Sequence, residues 1–121
     1  MRRGEVWWAD LGAYRPREQT GRRPVVIWQS DRLIRALHSV LVVPLTTNMA
    51  RAGLAGTALV AAGPGGPPAD SVALAFQLRA IPKSACLERL RSLTDQELAE
   101  LELATDEALG RLEPGENAEL S

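Results

Sequence analysis

Two β-rich apolar runs, Glu5-Val6-Trp7-Trp8-Ala9-Asp10 and Pro24-Val25-Val26-Ile27-Trp28-Gln29, are held apart by a polar stretch that ends Glu18-Gln19-Thr20-Gly21-Arg22-Arg23-Pro24. Strands of this kind normally meet through two to five residues, so a connection of this length is either functional or unstructured. Its end is pinned, because Pro24 fixes its own φ and biases Arg23 towards extended backbone. A guanidinium held there is planar, permanently charged and rich in donors, which suits it to a phosphate.

Alternation in Glu5–Asp10 places Val6 and Trp8 on one face and Trp7 and Ala9 on the other, so both faces are apolar. A small barrel would bury one face and a subunit contact the other. The unbroken run Pro24–Gln29 predicts a strand buried on both sides. Ser30 is placed to cap a short helical turn over Asp31–Leu37. A third buried strand is expected over Val40–Pro44, with Pro44 ending its pairing or lying at its edge. Thr57–Val60 and Ser71–Phe76 return to the strand pattern around the connector Gly63-Pro64-Gly65-Gly66-Pro67-Pro68, and a last strand is expected near Ala85–Leu90. Thr94-Asp95-Gln96-Glu97 has the form of a capping box. It opens a helix with Leu98, Leu101, Ala108, Leu109 and Leu112 at helical spacing, stopping near Gly110. This order predicts a mainly β fold, a small barrel of short strands with a C-terminal helix. Residues 1–112 form one domain in this reading and 113–121 a polar tail.

The formal net charge of −1 over 121 residues conceals a segregation of sign. Residues 1–60 carry nine arginines against four acids, whereas residues 61–121 carry five basic residues against eleven acids. The first half is therefore basic enough to attract a polyanion. No apolar run approaches bilayer length, and Glu5 and Asp10 interrupt any signal-like segment after Arg2 and Arg3, so a cytoplasmic protein without membrane contact is expected. Cys86 is the only cysteine and reads as a small buried hydrophobe. The acids of the terminal helix come without histidine and mostly at solvated spacing, so no metal site and no cofactor are expected.

His38 is the only histidine, which excludes a two-imidazole acid–base scheme within one protomer, and it reads as a surface or structural residue. A nuclease built from this chain must therefore work with neither a histidine pair nor a carboxylate-bound metal. RNA allows that, since its own 2′-hydroxyl is a nucleophile that needs only orientation, a proton acceptor and charge stabilisation. Gln77 and Arg79 lie two apart in what reads as one strand, and so share a face suited to a base edge and a phosphate of single-stranded RNA.

Three motifs, in order, carry a resemblance to a known family: Gly4-Glu5-Val6-Trp7-Trp8, Glu18-Gln19-x-Gly21-x-Arg23-Pro24, and Pro44-Leu45-Thr46-Thr47, followed by Asp70 to Arg79. From about Arg3 to the C-terminal helix the chain resembles the MazF/PemK family of toxin endoribonucleases. The resemblance implies an SH3-like barrel, a homodimer, a cognate antitoxin, and cleavage of single-stranded mRNA at a short sequence by 2′-hydroxyl attack. It assigns Arg23 and Thr46 to catalysis and makes Glu18 the residue able to accept a proton, leaving Thr47 as an ordinary strand residue. Gln19, Arg22, Gln77 and Arg79 are then expected to contact RNA, Arg22 through general phosphate attraction. Trp28 stands where relatives usually carry an aliphatic residue; it either fills core or stacks a base at the groove edge. The rival on the same fold is a non-catalytic, CcdB-like toxin that binds DNA gyrase, which Arg23-Pro24 with Thr46 disfavours. A peptide-binding adaptor would need more aromatic residues than this chain supplies.

Overall fold

Side-chain alternation in β1 (Glu5–Asp10) divides the molecule into two cores. The computed structural model describes residues 1–12 and 21–112. Val6 joins Val26, Trp28, Val43, Leu45, Leu101 and Ala104 on one side of the sheet. Ala9, with Trp7 packed against it, joins Val25, Ile27, Ile34, Val40, Val42 and Ile81 on the other. Val6 and Ala9 are thus buried on opposite faces of the first strand within the protomer, while Trp7 and Trp8 stay partly exposed.

The sheet has seven strands, all paired antiparallel. After β1 come β2 (Arg22–Ile27) and β3 (Ser39–Thr46), then the hairpin β4 (Thr57–Val60) and β5 (Ser71–Leu74), then β6 (Arg79–Pro82) and β7 (Cys86–Ser92). The path runs β4-β5-β3-β2-β1-β7, with β6 added to β3. Between β2 and β3, Ser30 caps α1 (Asp31–Ala36) by accepting the Leu33 N–H. The expected capping box is present: Thr94 accepts from Glu97 N and Glu97 accepts from Thr94 N, opening α2 (Asp95–Ala108). Gly110, at φ +76°, lies just beyond the helix in a conformation glycine adopts without strain.

Several expectations need correction. Pro44 does not end β3. It pairs opposite Val25, and on its other side it falls between Val42, the last residue paired to β6, and Leu45, the first paired to β5. No partner strand demands an N–H in that gap, so the strand continues to Thr46. The run from Ser71 leaves the sheet after Leu74 and winds into a 3-10 turn over Ala75–Gln77, fixed by Ala75 N donating to Gly56 O and Leu78 N to Ala75 O. Gln77 and Arg79 therefore do not share one strand: Gln77 ends the turn and Arg79 begins β6. The last strand starts one residue later than expected and runs on to Ser92. Leu109 and Leu112 are exposed, whereas Leu101 and Ala104 carry the buried face of α2. Leu101 is fully buried, and burial of such a side chain is worth about 1.5–3 kcal/mol.

Candidate active site

The connection that separates the first two strands is closed at its base by Leu11 N donating to Gly21 O at 3.0 Å. Gly21 turns the chain at φ +74°, and β2 then pairs Arg22 with Asp10, Arg23 with Ala9 and Pro24 with Trp8. Arg22 is exposed and Arg23 is half-buried. Glu18 and Gln19 lie outside the described residues.

Arg23 and Thr46 come from the adjacent strands β2 and β3, and the Ala75–Gln77 turn brings Gln77 to them. With Pro44, Leu45, Asn48, Arg51 and Leu74 they line one recess of about 60 Å³. Its depth comes from the end of β3, where Thr46 is the last strand residue and Asn48 caps a 3-10 turn over Met49–Arg51 by accepting Ala50 N at 3.1 Å. Thr46 Oγ1 accepts Asn48 N at 3.2 Å. The Thr46 hydroxyl proton is still free for a substrate, because a hydroxyl carries two acceptor lone pairs beside its single donor.

Among the described residues, Arg23 Nη1 reaches only the Leu45 carbonyl, at 3.5 Å, a weak bond that orients the guanidinium without neutralising it. Arg23 Nε is buried with no hydrogen-bond partner among the described residues, as is Gln77 Oε1. Buried polar atoms left unpartnered cost about 1–3 kcal/mol each. Their occurrence together at one small, cationic recess fits a site completed by a ligand that accepts from Arg23 and donates to Gln77.

The remaining expected site residues lie elsewhere. Arg79 is half-buried at the start of β6, opposite Val42, and does not line the recess. Trp28 is 6% exposed in the first core; its Nε1 donates to Thr105 Oγ1 at 2.8 Å, and the Arg3 guanidinium lies 4.0 Å from its ring centroid. That position corrects the base-stacking expectation: the ring is committed to packing and to α2. His38 is exposed, as expected. Asn48 and Arg51 were missed. The signal available for them was a capping-type Asn two residues after Thr46, followed by an arginine three residues on.

The strongly shifted groups are structural. Burial alone would raise the Glu97 carboxyl, but Arg91 and the N–H groups of Thr94 and Ala61 outweigh it and hold Glu97 at about 2. Burial likewise opposes ionisation of Glu5, whose bonds from Arg89, Trp7 Nε1 and Arg2 N nonetheless keep it below the usual carboxylate range. Burial pushes the half-buried Cys86 thiol up to about 11, so it stays protonated and unreactive at neutral pH. A larger hollow of about 370 Å³ beside α2 is lined by Asp70, Glu97 and Glu100 with no basic side chain, which suits no polyanion. Among the described residues, no group of three or more His, Cys, Asp or Glu side chains is arranged to hold a metal ion, and no helix is long and apolar enough to cross a membrane.

Comparison with known proteins bears on this geometry. Residues 2–109 match the family described as PemK-like, MazF-like toxin of type II toxin-antitoxin system. Endoribonuclease MazF of Staphylococcus saprophyticus is 34% identical over 110 residues, covering 91% of this chain and 92% of that protein. Two solved structures share the fold. An endoribonuclease in complex with its cognate antitoxin, from a mycobacterial species, superposes with TM-score 0.76 at 23% identity, over 94% of this chain and 99% of that one. MazF from Deinococcus radiodurans gives TM-score 0.74 at 22% identity, over 91% and 96%. At those identities the two structures establish the architecture alone.

Proposed function

Because the chain belongs to the PemK-like, MazF-like toxins of type II toxin-antitoxin systems, we propose that it is an endoribonuclease that cuts single-stranded mRNA at a short sequence, in the recess between β2 and β3, without a metal ion. The observation that carries this reading is the convergence of Arg23 and Thr46 on one small recess, with Arg23 Nε buried and unpartnered. The reported relatives are endoribonucleases by name, which favours cleavage over the gyrase-binding alternative.

In the reaction, the ribose 2′-oxygen forms a bond to phosphorus as the bond from phosphorus to O5′ breaks, leaving a 2′,3′-cyclic phosphate and a 5′-hydroxyl. The 2′ proton passes to a base, for which Glu18 is the available carboxylate, and the departing O5′ takes a proton from solvent. Charge grows on the non-bridging oxygens as phosphorus becomes five-coordinate. The Arg23 guanidinium meets that charge, and the Thr46 hydroxyl donates to it. Binding that strengthens only as charge develops lowers the barrier, whereas uniform binding of the ground state would not. Gln77 is placed to donate to or accept from a base edge beside the scissile phosphate, while Gln19, Arg22 and Arg79 contribute RNA contacts further along the strand.

The protein works in the cytoplasm as a homodimer. One uncovered apolar patch that a partner protomer would bury is the β4 edge and the adjoining face of α2, where Leu59 and Leu103 line one shallow hollow while being 49% and 54% exposed. A cognate antitoxin holds the toxin by laying an acidic segment with apolar anchors across the cationic recess. The test of the reaction is incubation with a long defined RNA in EDTA, followed by end mapping. Cuts at one short sequence should leave a cyclic phosphate or 3′-phosphate and a 5′-hydroxyl. A requirement for Mg²⁺, or cutting of a substrate with 2′-deoxyribose at the scissile position, would overturn the reading.

A further inference from the structure

Arg51 has no part in the reaction as described above, yet it lines the same recess as Arg23. It ends the Met49–Arg51 turn, which follows Thr46 almost directly and is held by the Asn48 cap. Among the described residues, no carboxylate forms an ion pair with either guanidinium; the ion pairs there are Arg3–Glu102, Arg89–Glu5, Arg91–Glu97 and Arg111–Asp106. Two unneutralised cations facing one hollow repel each other until an anion enters between them. At about 60 Å³ the hollow has room for the paired oxygens of one phosphate.

We propose that Arg51 is the second arm of a two-arginine clamp on the phosphate that is cut, closing on it from the turn while Arg23 closes from β2. The inference rests on the RNA-cleavage reading and adds to it a catalytic residue and a division of labour. Each guanidinium addresses a different non-bridging oxygen, so the charge that develops on both is met from two sides. Asn48 is then a positioning residue: by capping the turn it fixes the direction from which Arg51 approaches.

The test uses the full chain and an RNA bearing one site that the wild-type protein cuts. Single-turnover rates at saturating protein are compared for wild type, R51A, R51K and N48A. Affinity is measured in parallel, over a range of salt, for the same RNA carrying 2′-deoxyribose at the scissile position. R51A should lose on the order of a hundredfold in the single-turnover rate. Its salt dependence of binding should also flatten by about 0.7 in log–log slope, the value for one phosphate contact on a single strand. R51K should recover the salt slope but not the rate, since a point charge cannot reproduce the fork. N48A should fall between wild type and R51A in rate. Thermal melting establishes folding, and R51Q carries the same comparison if R51A melts early. A saturated R51A or R51Q rate within threefold of wild type overturns the clamp even if affinity drops, because Arg51 would then only attract the backbone. Failure of the wild-type protein to cut any RNA would overturn the cleavage reading instead.

Discussion

Replacing Glu97 by Gln should destabilise the protein at neutral pH and do so far less in acid. The Glu97 carboxylate accepts from Arg91 Nη1 at 2.7 Å and Nη2 at 3.0 Å, from Thr94 N at 2.9 Å and from Ala61 N at 3.0 Å. It therefore fastens β7, the start of α2 and the end of β4 at one point, and Arg91 reinforces the junction by donating to Ala61 O at 2.9 Å. The side chains of Arg91 and Glu97 are only 21% and 11% exposed, so solvent screens the pair little. A carboxyl lowered from 4.5 to about 2 gains about 3 kcal/mol in the folded state when ionised. Because the folded-state value is depressed, this contribution is complete above the unfolded carboxyl's pKa and disappears as pH falls through the folded one, a window from roughly 4.5 down to about 2. Gln keeps one acceptor oxygen but no charge, so E97Q should cost about 2–3 kcal/mol at pH 7. Urea unfolding of both proteins at one fixed protomer concentration, at pH 7 and pH 3, reads the effect. The gap should shrink to less than half at pH 3. A gap below about 0.5 kcal/mol at pH 7, or one that is equally large at pH 3, would refute the reasoning.

Arg23→Ala should lower the cleavage rate on the order of a hundredfold or more with unchanged melting, and Thr46→Ala should show a smaller loss of the same kind; near-normal turnover by a folded R23A protein would remove Arg23 from catalysis. Placing Asp at both Leu59 and Leu103 should convert a dimer to monomers at micromolar concentration, read by light scattering, and a monomeric wild-type protein with full activity would disprove the β4 and α2 interface. Antitoxin and uncleavable RNA should compete, with both affinities falling as salt rises. A ternary complex formed with no loss of affinity for either ligand would place the antitoxin on another face.

Local signals made much of this legible in the sequence. β1 and β4 run over the expected residues, and the capping box and the Ser30 cap lie where their short-range patterns place them. Other features depended on partners remote in sequence. Trp28 reads from the sequence first as core and second as groove edge, and Thr105, 77 residues later, commits it to the interior. The stretch Ser71–Arg79 alternates well enough to pass for one strand, but Gly56 captures the Ala75 N–H and bends the chain into a turn, which carries Gln77 to the recess and Arg79 into a new strand. Arg51 showed in the sequence only as one more positive charge, because its distance from Arg23 is set by tertiary structure. Arg23 and Thr46 were identified by motif, and no local rule would have brought them together.

The side of the sheet that holds Val26, Trp28, Val43 and Leu45 is closed by Leu101 and Ala104 of α2. β2 and β3 therefore cannot bury one of their two faces until residues 95–108 have been synthesised and have docked, although Arg23 and Thr46 are made much earlier. On a ribosome, the recess belongs to a sheet whose core is still open to water for most of translation. A chain truncated before that helix would carry Arg23 and Thr46 without a stable frame to aim them.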